Sequence, residues 1–162
     1  MVAAPRGSLA MASHRAASGK DEQSYPHHDL TYKIIAAGFR VHNTLGYGYL
    51  EPVYRRAMAV ELAHVGIDAN QEVPFELFYR DRCIGLYRAD LVVEATVVVE
   101  IKTGLLLDPV AIPQALNYLK TSRLPIALVL HFGPRVTVKR IVASEPSKAE
   151  NLDPPMVNTQ PL

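Results

Sequence analysis

The segment Tyr87–Lys102, YRADLVV-EAT-VVVEIK, constrains the fold more than any other stretch of the chain. Two valine-rich runs flank Glu94-Ala95-Thr96, the pattern of two strands joined by a three-residue hairpin loop. With that loop Val93 faces Val97, Asp90 faces Glu100, and Arg88 faces Lys102. Alternation then gathers Ala89, Leu91, Val93, Val97, Val99 and Ile101 on one wholly apolar face. The other face carries Val92 and Val98 near the loop, then Asp90, Glu100, Lys102 and Arg88 at the open end. A hairpin with so apolar a face has to lie on a core.

The charged end is the unusual part. Opposed side chains of antiparallel strands have Cβ atoms ~4.5–5.5 Å apart, and like charges there destabilise the pair. Two facing carboxylates beside apolar valines repel or share a proton unless a cation lies between them. Mg²⁺ takes oxygen ligands and is commonly held by one or two carboxylates. Lys102, two residues beyond Glu100 on the same face, stands where it can orient a water or stabilise charge on a phosphate. The competing reading is a solvated ion-pair cluster of Asp90, Glu100, Lys102 and Arg88, worth little energetically. A one-residue slip of the hairpin would also break the Asp90–Glu100 opposition. Both readings stand at this level.

The flanking pattern supplies the remaining elements. From Asp29 as N-cap, Leu30, Ile34, Ala37, Gly38 and Val41 recur at helical spacing up to Gly46. A second helix opens at Glu51-Pro52 and stops at Gly66. The period then changes to two through Val73, Phe75, Leu77 and Tyr79, with Arg80-Asp81-Arg82 as a turn. Strands follow at 83–93 and 97–103. Asp108-Pro109 opens a third helix through Leu119, and strands at 125–132 and 136–142 flank Gly133-Pro134. The order ααβββαββ defines an α+β (mixed α/β) fold, with helices covering a sheet. Residues 1–24 and 144–162 lack periodicity and read as a disordered leader and a disordered tail around a domain at 25–143.

Composition removes several function classes. A single cysteine, Cys83, excludes an internal disulfide, a four-cysteine iron–sulfur cluster and a CxxC motif. His42, His64 and His131 share no ligand spacing with one another or with Cys83, which argues against zinc. No apolar run reaches the ~18–20 residues of a membrane span, and no signal-peptide block is present, so the expected location is cytoplasmic. Residues 25–143 hold 13 Lys and Arg against 11 Asp and Glu. A dedicated duplex-binding module is usually more basic, so any nucleic-acid contact must rest on a local patch.

The motifs resemble a known family. Asp90…Glu100-Ile101-Lys102 is similar to the Asp…Glu-x-Lys signature of the PD-(D/E)XK nuclease superfamily. Gly48-Tyr49-Leu50-Glu51-Pro52-Val53-Tyr54 reads GxxExxY, the motif that names the bacterial GxxExxY protein family. Tyr87-Arg88-Ala89-Asp90-Leu91 resembles that family's YRADL strand. Gln114-Ala115-Leu116-Asn117-Tyr118-Leu119-Lys120 resembles its QxxNYLK helix, with the Gln-x-x-x-Tyr pattern of RecB-like exonuclease domains. The resemblance spans residues 29–142.

The resemblance implies a restriction-endonuclease-like core, a central mixed sheet flanked by helices. It implies that Asp90 and Glu100 bind Mg²⁺ or Mn²⁺, with the Ile101 carbonyl and Glu51 completing the shell, and that Lys102 positions the attacking water. Gln114 would assist catalysis, and Tyr118, Arg88, Arg55 and Lys120 would contact the substrate, a nucleic acid with DNA favoured. A catalytically silent binding or scaffold protein of the same fold is the alternative. A homodimer or protein partner is left open by the apolar strand at 125–132. Bland readings also exist for single residues. Glu51 suits any first helical turn and has Arg55 four residues on; Tyr54 fits packing against the sheet. His131 stands where the family usually has Asn, and Arg55-Arg56 where acidic residues are frequent.

Overall fold

The structure is a computed structural model that describes residues 27–143. The expected leader and tail lie outside the described residues. Eight elements follow in the order ααβββαββ: α1 His28–Leu45, α2 Glu51–His64, β1 Ala69–Tyr79, β2 Arg82–Val93, β3 Val97–Thr103, α3 Ala111–Ser122, β4 Ile126–Phe132 and β5 Val136–Val142. The strands form one sheet in the order β1-β2-β3-β4-β5. Its β3–β4 pair is parallel and the other neighbours are antiparallel, so the sheet is mixed.

The sheet divides the interior into two apolar layers. On one face α1 and α2 contribute Ile34, Ala37, Val41, Tyr54, Met58 and Leu62 against Leu91, Val93, Val97, Val99, Ile101 and the even positions of β4. On the other face α3 contributes Ala111, Ala115, Tyr118 and Leu119 against Val92, Val98, Ala127 and Val129. Every residue of β4 is buried. A parallel strand covered on both faces reads as a continuous apolar run rather than an alternating one, which is how IALVLHF reads. Each fully buried Leu or Ile contributes about 1.5–3 kcal/mol relative to exposure. An Arg40–Glu61 ion pair ties α1 to α2 on the outside. Among the described residues no helix is long and apolar enough to cross a membrane.

The hairpin has the expected register. Val93 pairs with Val97, Val92 with Val98 and Leu91 with Val99. Its loop places Glu94 at φ 49° and Ala95 at φ 46°, with Thr96 N–H donating to the Val93 carbonyl at 2.9 Å. Left-handed geometry at both central residues matches the twist of hairpin strands even without glycine.

Four expectations need correction. The N-cap of α1 is His27, in a left-handed conformation, and Asp29 lies inside the first turn, where its charge favours the helix dipole. Helix α3 begins at Ala111; Asp108 lies before it and accepts the Val110 N–H at 2.9 Å. The β2–β3 ladder ends at Leu91–Val99, so Asp90 and Glu100 are not ladder partners, nor are Arg88 and Lys102. Arg88 pairs instead with Pro74 on β1. Ala89 packs in the α3-side layer rather than with Leu91 and Val93. Both of the last two coincide with one irregularity: Glu72, at φ 52°, is missing from the β1–β2 pairing at the position opposite Asp90.

Candidate active site

The site forms where β2 leaves β3. Continued regularly, the hairpin would set Ala89 opposite Ile101. Instead the Asp90 carboxylate enters the gap and its Oδ2 accepts the Ile101 main-chain N–H at 2.7 Å. In a strand the N–H and C=O of one residue point to the same side, so the Ile101 carbonyl also faces this opening. The other Asp90 oxygen lies 3.5 Å from Arg55 Nη1, and Arg55 Nη2 lies 3.3 Å from Glu72 Oε2. Arg55 thus bridges two carboxylates, one on each strand of the irregular pair.

Glu100 is the most constrained acid. It is 4% exposed, and its Oε1 accepts a hydrogen bond from Lys102 Nζ at 2.8 Å. Its Oε2 is buried with no hydrogen-bond partner. Burial, reinforced by the charges of Asp90 and Glu51, pushes its carboxyl up to about 7, although Lys102 opposes the shift. For Lys102 burial disfavours the ammonium, but the hydrogen bond to Glu100 and the charges of Glu100, Glu51 and Asp90 outweigh it, so its pKa is raised. Glu51, at the first position of α2, reaches the site through this field, without a hydrogen bond to either residue.

Helix α3 closes the site from the other face. The Tyr118 hydroxyl donates to the Arg88 carbonyl at 2.5 Å, pinning β2 just beyond the point where it parts from β3. Burial pushes that hydroxyl up to about 12, with the nearby Glu100 charge adding to the shift, and Gln114 one turn earlier acts on the same hydroxyl. The structure therefore brings Asp90, Glu100, Ile101, Lys102 and Arg55 together, with Glu51, Gln114 and Tyr118 around them. It does not bring in the Arg88 guanidinium, which lies 3.5 Å from the Glu72 carbonyl, or Lys120, which is exposed at the end of α3.

Two residues that the motifs do not single out belong here. Glu72 holds Arg55, and no sequence signal marks its left-handed backbone. His131 lies beside Lys102 in the parallel register. Its Nε2 is 3.0 Å from the Gly104 carbonyl, which fixes the hydrogen on that nitrogen, and its Nδ1 has no partner. A histidine inside an otherwise apolar buried strand was the available signal. Tyr54, the last residue of GxxExxY, is fully buried, stacks on Phe132 with centroids 4.3 Å apart, and donates to the Gly46 carbonyl at 2.8 Å.

Among the described residues no three His, Cys, Asp or Glu side chains converge as a ready metal cluster. The donor set still fits a hard cation. A buried carboxylate oxygen without a partner, on a group whose ionisation burial disfavours, is the environment a divalent ion relieves.

A family model of the PD-(D/E)XK nuclease superfamily matches residues 28–141. No curated protein matches the chain. Among solved structures the chain is similar to one described as the crystal structure of SSO0001, at 16% sequence identity and a TM-score of 0.44. The match covers 72% of this chain and 59% of that one, so the chain spans less than two thirds of that structure's length.

Proposed function

Because the chain belongs to the PD-(D/E)XK nuclease superfamily, we propose that it is a metal-dependent nuclease that hydrolyses phosphodiester bonds in nucleic acid, with DNA as the favoured substrate. The observation that carries this reading is the Glu100–Lys102 pair, a buried acid with one bonded and one orphaned oxygen, set beside Asp90 at the fork of two strands. The GxxExxY stretch and the YRADL and QxxNYLK segments support placement in the bacterial GxxExxY group, acting in the cytoplasm. A homodimer or a protein partner is compatible with it.

Mg²⁺ or Mn²⁺ would be held by Asp90 and Glu100, with the Ile101 carbonyl and Glu51 as further donors. When bound, such an ion stabilises charge on the phosphoryl oxygens and the leaving group. The chain's own residues do the rest. Lys102, kept as an ammonium by Glu100, donates to the water or to a phosphoryl oxygen and holds it in line. Asp90, fixed by Ile101 N–H, keeps one oxygen directed at the site. Tyr118 and Gln114 hold β2 and the lysine side of the site against α3. Burial of Glu100 keeps the surroundings poorly hydrated, which strengthens each of these interactions.

A second reading, a binding or scaffold module, draws on the absence of a preformed three-acid cluster among the described residues. Cleavage of labelled DNA in Mg²⁺, with wild type and Lys102→Ala purified in parallel, separates the two. The nuclease reading expects at least a hundredfold loss in the variant. Equal residual cleavage by both proteins would identify a contaminant and leave the scaffold.

A further inference from the structure

Beside the site lies an open cavity of about 270 Å³, lined by Leu105, Leu106, Leu107, His131, Pro134, Arg135 and Thr137. It sits at the carboxyl ends of the parallel strands β3 and β4, where mixed sheets place ligands. One wall is the loop that follows β3, and Leu105 and Leu106 are 73% and 85% exposed there. That much apolar surface on consecutive loop residues is left uncovered by the other described residues. His131 forms the floor and fixes the loop through Gly104. The loop after β4 adds Arg135 to the lining, an exposed guanidinium with no ion pair among the described residues.

The cavity adjoins the catalytic lysine. Lys102 and His131 are register partners, so their side chains are neighbours on one face of the sheet. His131 lines the cavity and neighbours Lys102, so a strand whose phosphate reaches Lys102 has this cavity within a nucleotide's reach. Its volume falls just below the range of drug-sized pockets, which suits a single nucleotide rather than a folded partner. Apolar side chains and a cation lining one cavity match the two chemistries of a nucleotide, a flat base with its sugar and an anionic phosphate. Resting on the nuclease reading, we propose that this cavity is the subsite for the nucleotide next to the scissile phosphate, its base and sugar against Leu105, Leu106 and Pro134 and its phosphate on Arg135.

The test is fluorescence anisotropy of a labelled single-stranded DNA of about ten nucleotides on the metal-free full chain, where no turnover occurs. Wild type is compared with Arg135→Gln, with the double variant Leu105→Ser/Leu106→Ser, and with Arg80→Gln at the β1–β2 turn as a generic charge loss. All four positions are exposed, so folding is not at stake. Both cavity variants are expected to bind about tenfold more weakly. Arg135→Gln also flattens the salt dependence by about 0.7 in log–log slope, the contribution of one phosphate on a single strand. Wild-type affinity in both cavity variants, an equal loss in Arg80→Gln, or no binding by wild type overturns the subsite. Cleavage by the same preparations is read separately: binding that follows the expected pattern without cleavage removes the nuclease reading and keeps the subsite, and cleavage with unaltered binding does the reverse.

Discussion

Asp90 Oδ2 accepts the main-chain N–H of Ile101 at 2.7 Å, so a side chain of β2 replaces the backbone partner that β3 loses where the strands part. That bond ties the acid's position to the fork itself. Asp90→Asn keeps an acceptor for Ile101, whereas Asp90→Ala leaves a part-buried donor unpaired, at a cost of about 1–3 kcal/mol. Chemical denaturation is therefore expected to separate the two variants by that amount, with Asn the milder. Cleavage is expected to be lost in both. Equal stability of the two would show that the bond carries no weight.

Glu100 gives a pH signature. Its folded-state value of about 7 lies above the ordinary 4.5, so the folded chain binds this proton more tightly than the unfolded chain does. Stability from this group is fullest below about pH 4.5, declines as pH rises, and is lost above about pH 7. The difference amounts to about 3 kcal/mol at most. Urea denaturation of metal-free protein is expected to show that decline between pH 5 and 8, and Glu100→Gln to flatten it. A stability that rises over the same interval would contradict the assignment.

Arg55 competes for the same carboxylate as an incoming cation. It lies 3.5 Å from Asp90 and 3.3 Å from Glu72, with its own side chain largely buried. Arg55→Gln is expected to destabilise metal-free protein by about 1–2 kcal/mol. The same change is expected to tighten Mn²⁺ binding severalfold, because the resident charge is gone. Weaker Mn²⁺ binding would instead make Arg55 a support for the acid rather than a rival.

Gly133 is a steric requirement of the loop beside Lys102. A Cβ there would lie 2.5 Å from His131 Cε1 and 2.9 Å from the Gly104 carbonyl oxygen. The second contact is backbone and cannot swing aside. Gly133→Ala is expected to cost about 1–3 kcal/mol, as overpacking does. Thermal unfolding checks this, and a melting temperature within a degree of wild type would show that the loop yields freely.

Much of the fold was legible because periodicity and turn chemistry act locally. The Glu94–Thr96 loop set the hairpin register, and the strands at 83–93, 97–103 and 136–142 fall within a residue of β2, β3 and β5. The resemblance implied a mixed sheet but not which strands run parallel, and the β3–β4 pairing is not legible because an apolar run such as IALVLHF fits any buried strand. The site was readable as residue types but not as geometry. Alternation alone placed Asp90 opposite Glu100, and it could not foresee that Glu72 takes a left-handed conformation or that the β2–β3 ladder stops at Leu91–Val99. Arg55 reads in the sequence as a substrate contact or a partner of Glu51 on its own helix, because its partners in the structure, Asp90 and Glu72, come from distant strands. His131 stands out in the sequence only as an unsupported zinc candidate and as a departure from the family's usual Asn, and its neighbour across the ladder, Lys102, is invisible to spacing along the chain.

The central claim is that Asp90 and Glu100 form a cation site that serves cleavage. Calorimetric titration of Mn²⁺ into wild type and Asp90→Ala tests it most directly, with DNA cleavage read on the same preparations. The account predicts saturable binding by wild type, and loss of both binding and cleavage in Asp90→Ala. Absence of binding to wild type, or binding unaltered by the substitution, would contradict it.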